Sequence, residues 1–361
     1  MTAPIHPTRD IRVGPPGTSV NTHAHDAPDL LPVHVLTGPL GSGKSTLLNR
    51  VLRGGLAPDT AVVVNEFGQA GLDRTFIQEE AEEVLVMDNG CICCTLRTDL
   101  VATLMRLAAM RDAHGWPLRR VIVETSGITD PVPVLHTLRA DARVRTRFRA
   151  GSVMCTVDAQ AGLAGLAERP EYAAQLAAAD VAVLTKADLI DEVSLSALAR
   201  AVAHANPLAQ LLRNDDTALQ TRFASDTDSD PNHGFRALDT LAVPRAAPDT
   251  PSGHGVRHIV LRQPGPLPWP VFAVWLTRLL HLHGDRILRT KGVLYDPGRD
   301  AWIGVHGVRR FLHPPVHLQV DKPPAFGSCL VFITEGLDPA GIAESYRRLQ
   351  PACEEPAALE P

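Results

Sequence analysis

The chain has 361 residues, with 35 Lys and Arg against 40 Asp and Glu, for a formal charge of −5. That balance argues against a nucleic-acid binder working through bulk electrostatics, which carries a basic excess. No stretch approaches the roughly 18 unbroken apolar residues of a membrane span. The length implies two domains, and 45% apolar with 21% charged residues is ordinary for a chain that buries a sizeable core. Arg9 and Arg12 are not followed by the apolar core of a secretory signal. Six cysteines, three of them within four residues, make no disulfide framework, so a reducing, cytoplasmic setting is expected.

Residues 1–30 are rich in Pro, Gly, Thr, His and Asp without apolar periodicity and read as a disordered arm. From Leu31 short apolar runs alternate with helical stretches. Strands are expected at Val33–Thr37, Ala61–Asn65, Glu83–Met87, Arg120–Thr125, Ser152–Val157 and Asp180–Thr185, and helices at Ser45–Arg53 and Thr98–Arg111. Alternating strands and helices imply parallel pairing, hence an α/β fold with a doubly wound, mostly parallel sheet over residues 31–213. Residues 214–255 are polar, broken by Pro and Gly, and read as a linker. Residues 256–350 change rhythm, with strands expected at His258–Arg262, Arg286–Tyr295, Ala301–Leu312 and Cys329–Thr334 and helices at Pro270–His283 and Pro339–Leu349. These read as a smaller α+β domain, followed by a tail over 351–361.

Gly38-Pro-Leu-Gly41-Ser42-Gly43-Lys44-Ser45 fits G-x-x-x-x-G-K-[ST], directly after a strand and opening a helix. Such a loop turns successive backbone N–H groups, those of Gly41, Ser42, Gly43 and Thr46 among them, toward phosphate oxygens, and the helix N-terminus adds favourable potential. Lys44 reaches the β/γ oxygens, and the Ser45 hydroxyl is a ligand for Mg²⁺, which prefers hard oxygens. Lysine is scarce: four against 31 Arg, namely Lys44, Lys186, Lys291 and Lys322. Glu124 ends an apolar strand and is followed by Thr125-Ser126-Gly127. It can hold the Mg²⁺ shell or polarise an attacking water, while the Gly127 N–H approaches the γ-phosphate. Asn65-Glu66-Phe67-Gly68 follows another strand and could sense that phosphate. In Thr185-Lys186-Ala187-Asp188 the carboxylate can accept from the N1–H and amino group of guanine, a donor pair adenine lacks.

Asp88-Asn89-Gly90-Cys91-Ile92-Cys93-Cys94 places three thiols on a loop. As thiolates they suit borderline cations such as Zn²⁺, and three sulfurs leave one tetrahedral position open or filled from elsewhere. Cys155 and Cys329 lie in apolar strands and read as core, and Cys353 as exposed tail. The neighbouring pairs His254/His258 and His281/His283 read as linker and helix surface.

In order, Gly38–Ser45, Asn65–Gly68, Gly90–Cys94, Glu124–Gly127 and Thr185–Asp188 resemble the CobW family of P-loop GTPases, the zinc-regulated GTPase metalloprotein activators. Asn206-Pro207-Leu208-Ala209 is similar to that family's segment near the base, and Arg289-Thr290-Lys291-Gly292 and Leu330–Glu335 to its C-terminal domain. The resemblance implies a cytoplasmic GTP hydrolase with Lys44, Glu124 and Glu66 as catalytic residues and Mg²⁺ as cofactor. It implies Zn²⁺, with Co²⁺ possible, on Cys91, Cys93 and Cys94, and Asn206 among the nucleotide contacts. Expected partners are GTP and a client metalloprotein, with a homodimer possible and neither nucleic acid nor membrane involved. Thr185 stands where Asn is more usual, and the histidine-rich stretch of many members is absent. A P-loop kinase for a small molecule and a non-enzymatic zinc-binding interaction module are the alternatives.

Overall fold

A computed structural model describes residues 30–65, 83–86, 95–168, 170–224, 256–263, 268–318 and 327–349. Two sheets carry the chain. The first is built from β1 (Leu31–Thr37), β2 (Thr60–Asn65), β3 (Glu83–Val86), β4 (Arg120–Thr125), β5 (Phe148–Asp158), β6 (Val181–Thr185) and β7 (Gln210–Arg213). Their order is β3-β2-β4-β1-β5-β6-β7, and every pairing is parallel. β1, β4 and β6 are buried at every residue because helices cover both faces, which is why they read as unbroken apolar runs rather than alternating ones.

Alternate residues of each strand face opposite layers. Val33, Val35, Val121 and Val123 pack under α2 (Thr95–His114), α3 (Val132–Ala140) and the short α4 (Ala142–Arg145). Further along the sheet, Val157, Ala182 and Leu184 pack with Tyr172 and Leu176 and with Leu195, Leu198 and Val202. Those side chains come from α6 (Pro170–Ala178) and α7 (Glu192–Ala205); α5 (Gly162–Glu168) precedes them. On the other face Leu36, Val62, Ile122 and Val183 meet α1 (Lys44–Val51) and α8 (Ala218–Ala224), the latter through Leu219 and Phe223. The stretch expected to begin a linker at 214 therefore begins with a helix that completes the core. Its apolar signal is only two residues long, too short to stand out from the polar segment. The remainder, 225–255, lies outside the described residues, as do the arm and the tail.

The second sheet, β11-β10-β9-β13-β8, is antiparallel, with β12 pairing β10. It comprises β8 (Val256–Gln263), β9 (Ile287–Asp296), β10 (Ala301–Val308), β11 (Phe311–Leu312), β12 (Val316–Leu318) and β13 (Ser328–Glu335). The single strand expected over Ala301–Leu312 is a hairpin, because Arg309 adopts φ 52° and turns the chain back. One face, with Leu294, Ile303, Leu330 and Phe332, is covered by α9 (Trp269–His283) and α10 (Pro339–Arg347). The opposite face, with Leu288, Val293, Val331 and Ile333, packs on Ala177 and Leu208 of the first domain. Cys155 and Cys329 are buried as expected, and burial pushes the Cys155 thiol up to about 12. His258, read both as the start of a strand and with His254 as linker, lies on β8, half-buried, with Nδ1 3.0 Å from the His204 carbonyl. Among the described residues no helix is long and apolar enough to cross a membrane.

His34, in the middle of β1, accepts a hydrogen bond at Nδ1 from the Ser152 N–H at 3.1 Å and contacts the Phe223 ring edge-on. Burial lowers its pKa from 6.5 to about 3, Arg149 and Arg120 reinforce the shift, and Asp180 opposes it. The folded state thus excludes a proton that the unfolded chain accepts below about pH 6.5, so this stabilisation is complete above that pH and falls away toward pH 3. Between pH 7.5 and 5.5 the loss is about 1 kcal/mol for this site. Urea titrations at the two pH values check it: His34→Asn, which cannot titrate, is expected to lose less stability on acidification than wild type.

Candidate functional site

All strands of a parallel sheet end on one edge, and ligands of such sheets bind at those carboxyl ends. Here the loop after β1 opens α1, and Gly38, Gly41 and Gly43 all take positive φ. Gly38 has φ 139°, and a Cβ there would lie 2.2 Å from Thr156 Oγ1, so only glycine fits between β1 and β5. The loop is braced from beneath. Ser42 Oγ donates to the Pro39 carbonyl at 2.6 Å and lies 2.6 Å from Thr156 Oγ1. Thr185 Oγ1 donates to the Ser42 carbonyl at 2.8 Å, with the Val157 carbonyl at 3.1 Å. Lys44 Nζ folds back onto the Gly38 and Pro39 carbonyls at 2.9 and 3.1 Å.

The parallel register of β1 and β4 sets Leu36 opposite Glu124. Ser45 Oγ consequently donates to Glu124 Oε1 at 2.9 Å across 79 residues of sequence. Two residues beyond β4 the backbone crosses the loop so closely that a Cβ on Gly127 would lie 2.4 Å from Leu40 N. A cleft of about 240 Å³ results, lined by Gly41, Gly43, Lys44, Ser45, Thr46, Glu124, Gly127 and Lys186, together with Leu40, Val64 and Thr125. Lys186 takes φ 54° and pairs with Asp158 at 2.7 Å. Asp188, two residues on, is exposed on the same turn.

Other expected residues stand elsewhere. Thr185, read as part of a base-recognition signature, spends its single hydroxyl hydrogen bracing the phosphate loop. Asn206, expected among the nucleotide contacts, is fully buried. Its amide donates to the Leu176, Ala177 and Ala179 carbonyls, and its Oδ1 accepts from the Leu208 N–H. It locks the end of α6 to the end of α7, and no donor remains for a ligand. Glu66 and the thiols Cys91, Cys93 and Cys94 lie outside the described residues. Among the described residues no group of three or more His, Cys, Asp and Glu could hold a metal ion.

Sequence reasoning missed Thr156 and Gln175. Gln175 Nε2 donates to the Gly127 and Thr129 carbonyls at 3.1 Å each, steadying the turn after β4. A signal for Thr156 was present: β1, β4, β5 and β6 all end in hydroxyl or carboxylate residues, Thr37, Thr125, Thr156 and Asp158, and Thr185.

A glycine-rich loop opening a helix at the carboxyl edge of a seven-stranded parallel sheet defines a P-loop nucleotide-binding protein. The family model for the CobW/HypB/UreG nucleotide-binding domain matches residues 32–213, and that for the cobalamin synthesis protein cobW C-terminal domain matches 256–350. The chain belongs to the CobW/HypB/UreG family. It is 27% identical over 280 residues to the zinc chaperone YjiA of Escherichia coli, covering 77% of this chain and 86% of that protein. It is 31% identical over 210 residues to the zinc chaperone CobW of Pseudomonas aeruginosa, covering 50% and 55%. The zinc-regulated GTPase metalloprotein activator 1 of Dictyostelium discoideum is 29% identical over 226 residues, covering 52% and 46%. The chain thus spans about half the length of the latter two. The crystal structure of Zn(II)-bound YjiA GTPase from E. coli shares the fold, with a TM-score of 0.66 at 22% identity over 89% of this chain and 99% of that one.

The brace beneath the loop is testable. Thr185→Val removes the donor to the buried Ser42 carbonyl and is expected to cost about 1–3 kcal/mol of stability in urea unfolding. Thr185→Ser, which keeps the hydroxyl, should retain most of it.

Proposed function

We propose that this protein is a Mg²⁺-dependent GTPase that carries Zn²⁺, with Co²⁺ a possible alternative, and delivers it to a client metalloprotein. The observation that carries the nucleotide half is the Ser45–Glu124 pair at 2.9 Å in the phosphate-loop cleft. A serine hydroxyl and a carboxylate are the hard oxygen donors Mg²⁺ takes. When bound, that ion neutralises charge on the β- and γ-phosphate oxygens.

The chain's own groups divide the remaining work. Backbone N–H groups of Gly41, Ser42 and Gly43 and the N-terminus of α1 receive phosphate oxygens. Lys44 exchanges its two carbonyl partners for β/γ oxygens at little cost, because it already lies over the loop. Glu124 holds the Mg²⁺ shell or orients the attacking water, the Gly127 N–H faces the γ-phosphate, and Glu66 senses it. Asp188 accepts from guanine N1–H and the amino group. The ion pair with Asp158 holds Lys186 at the cleft, where its alkyl stem can lie along the base.

For the metal half, Cys91, Cys93 and Cys94 fall between β3 and α2. The parallel order puts the end of β3 on the same edge as the phosphate loop, three strand spacings away, or roughly 14 Å. The naming of the E. coli and P. aeruginosa relatives as zinc chaperones supports zinc as cargo. Coupling between the sites must be reciprocal: if GTP tightens the metal site, metal tightens GTP.

Zn²⁺ titration of the full chain with Mg²⁺ and either a nonhydrolysable GTP analogue or GDP tests this. Affinities are expected to differ by roughly five-fold or more, and equal affinities would sink the coupling. Serine at Cys91, Cys93 and Cys94 should abolish tight binding while leaving the protein folded, and Lys44→Ala should abolish GTP turnover. Metal binding that survives the serine substitutions would move the cargo site elsewhere.

A further inference from the structure

The turn after β4, Ser126–Asp130, carries the Gly127 N–H and is held from outside the cleft at two points. On one side Gln175 Nε2 donates to the Gly127 and Thr129 carbonyls. Gln175 is fully buried, and its Oε1 has no hydrogen-bond partner among the described residues. Gln175 belongs to α6, whose closing carbonyls, Ala177, Ala178 and Ala179, accept from Arg289 of β9. Arg289 also pairs with Asp180, the residue before β6. Burial opposes ionisation of Asp180, but Arg289, Lys291 and the Val153 N–H together hold its carboxyl below the usual range.

On the other side Asp130 is divided between two partners. Its Oδ1 accepts from the Val132 N–H at 2.9 Å, starting α3, and its Oδ2 pairs with Arg309 of the second sheet at 3.0 Å. Arg309 sits at the β10–β11 turn with φ 52°, a conformation non-glycine residues avoid, and also donates to the Asp285 carbonyl at 2.7 Å. The same hairpin grips α3 further along: Phe311 lies against His136, and His313 meets Arg139. The turn therefore cannot move toward or away from a phosphate without breaking the Gln175 hydrogen bonds or pulling on the hairpin.

We propose that Gln175 and Arg309 are positioning residues for the nucleotide reaction, which tie the turn carrying Gly127 to the C-terminal sheet so that this sheet senses whether a γ-phosphate is present. The proposal rests on the reading of the cleft as a GTP site. In the triphosphate state the Gly127 N–H gains an acceptor and the links to Gln175 and Arg309 are kept. Loss of the γ-phosphate removes that acceptor, and the hairpin is the element placed to follow the change. The second domain is thereby part of the switch, and its interface with the first is where nucleotide state becomes a change in shape.

The test is equilibrium binding of fluorescent GDP and of a fluorescent nonhydrolysable GTP analogue to the full chain in Mg²⁺, with thermal stability measured in parallel. Arg309→Ala and Gln175→Met are expected to lower the preference for the triphosphate over GDP by roughly three- to ten-fold, through weaker triphosphate binding with GDP affinity unchanged. Arg309→Lys should restore most of the preference. Asp130→Asn, which keeps the contact to Val132, should add little to Arg309→Ala because both break one link. A preference unchanged in Arg309→Ala, with stability alone reduced, would overturn the proposal. Should Gln175→Met fail to fold, the half-exposed Arg309 link still decides. A wild-type chain that binds neither nucleotide would overturn the GTP-site reading, and this proposal with it.

Discussion

The parallel pairing of β1 with β4 is the constraint on which the site depends. With Leu36 opposite Glu124, the carboxylate arrives beside the first residues of α1, and Ser45 reaches it at 2.9 Å. A slip of one residue would turn Glu124 to the opposite face of the sheet, into the apolar layer beneath α2 and α3, and present Val123 or Thr125 in its place. Register is secured by the strands themselves. Val121 and Val123 are wholly buried on one face and Ile122 on the other, so each has one place to go.

The same pairing explains why the turn after β4 crosses the loop after β1. Two chain segments that leave neighbouring strands at one edge must pass each other. They pass at Gly127 and Leu40, where the missing Cβ permits contact. Thr156 and Thr185, ending the next strands, support the loop from beneath. The phosphate loop is thus held by groups from three other strands, and a site built this way is pre-organised before any ligand arrives.

The second sheet is covered on both sides, by α9 and α10 on one face and by the first domain on the other. Its strands are accordingly apolar on both faces, a pattern that in an antiparallel sheet signals a partner layer rather than solvent. Polar groups at this junction are few and specifically engaged: Arg289 with α6 and Asp180, Arg309 with Asp130, and His313 with Arg139. Burial, strengthened by Arg139, lowers the His306 pKa to about 3 and pushes that of His313 down further still, so both rings are neutral in the folded state.

Local patterns were enough to identify the phosphate loop, the α/β class and most of the apolar strands. Each is a short run whose meaning is carried by its neighbours in sequence: glycines that take positive φ, a helix opening after a strand. What lay beyond the sequence were the contacts between distant segments. Thr185 looked like base recognition until the fold brought it under Ser42, and Asn206 looked like a ligand contact until three carbonyls of the α6 end closed around it. Gln175 carried no signal, because a glutamine in a helix is unremarkable until its helix is docked against the turn after β4. Sequence by itself determined the fold class, most of the strands and the phosphate-loop motif, since backbone propensity and hydrophobic period are local. Only the tertiary structure decided which polar groups remain available, because that depends on which strand ends and helix ends packing brings within hydrogen-bonding distance.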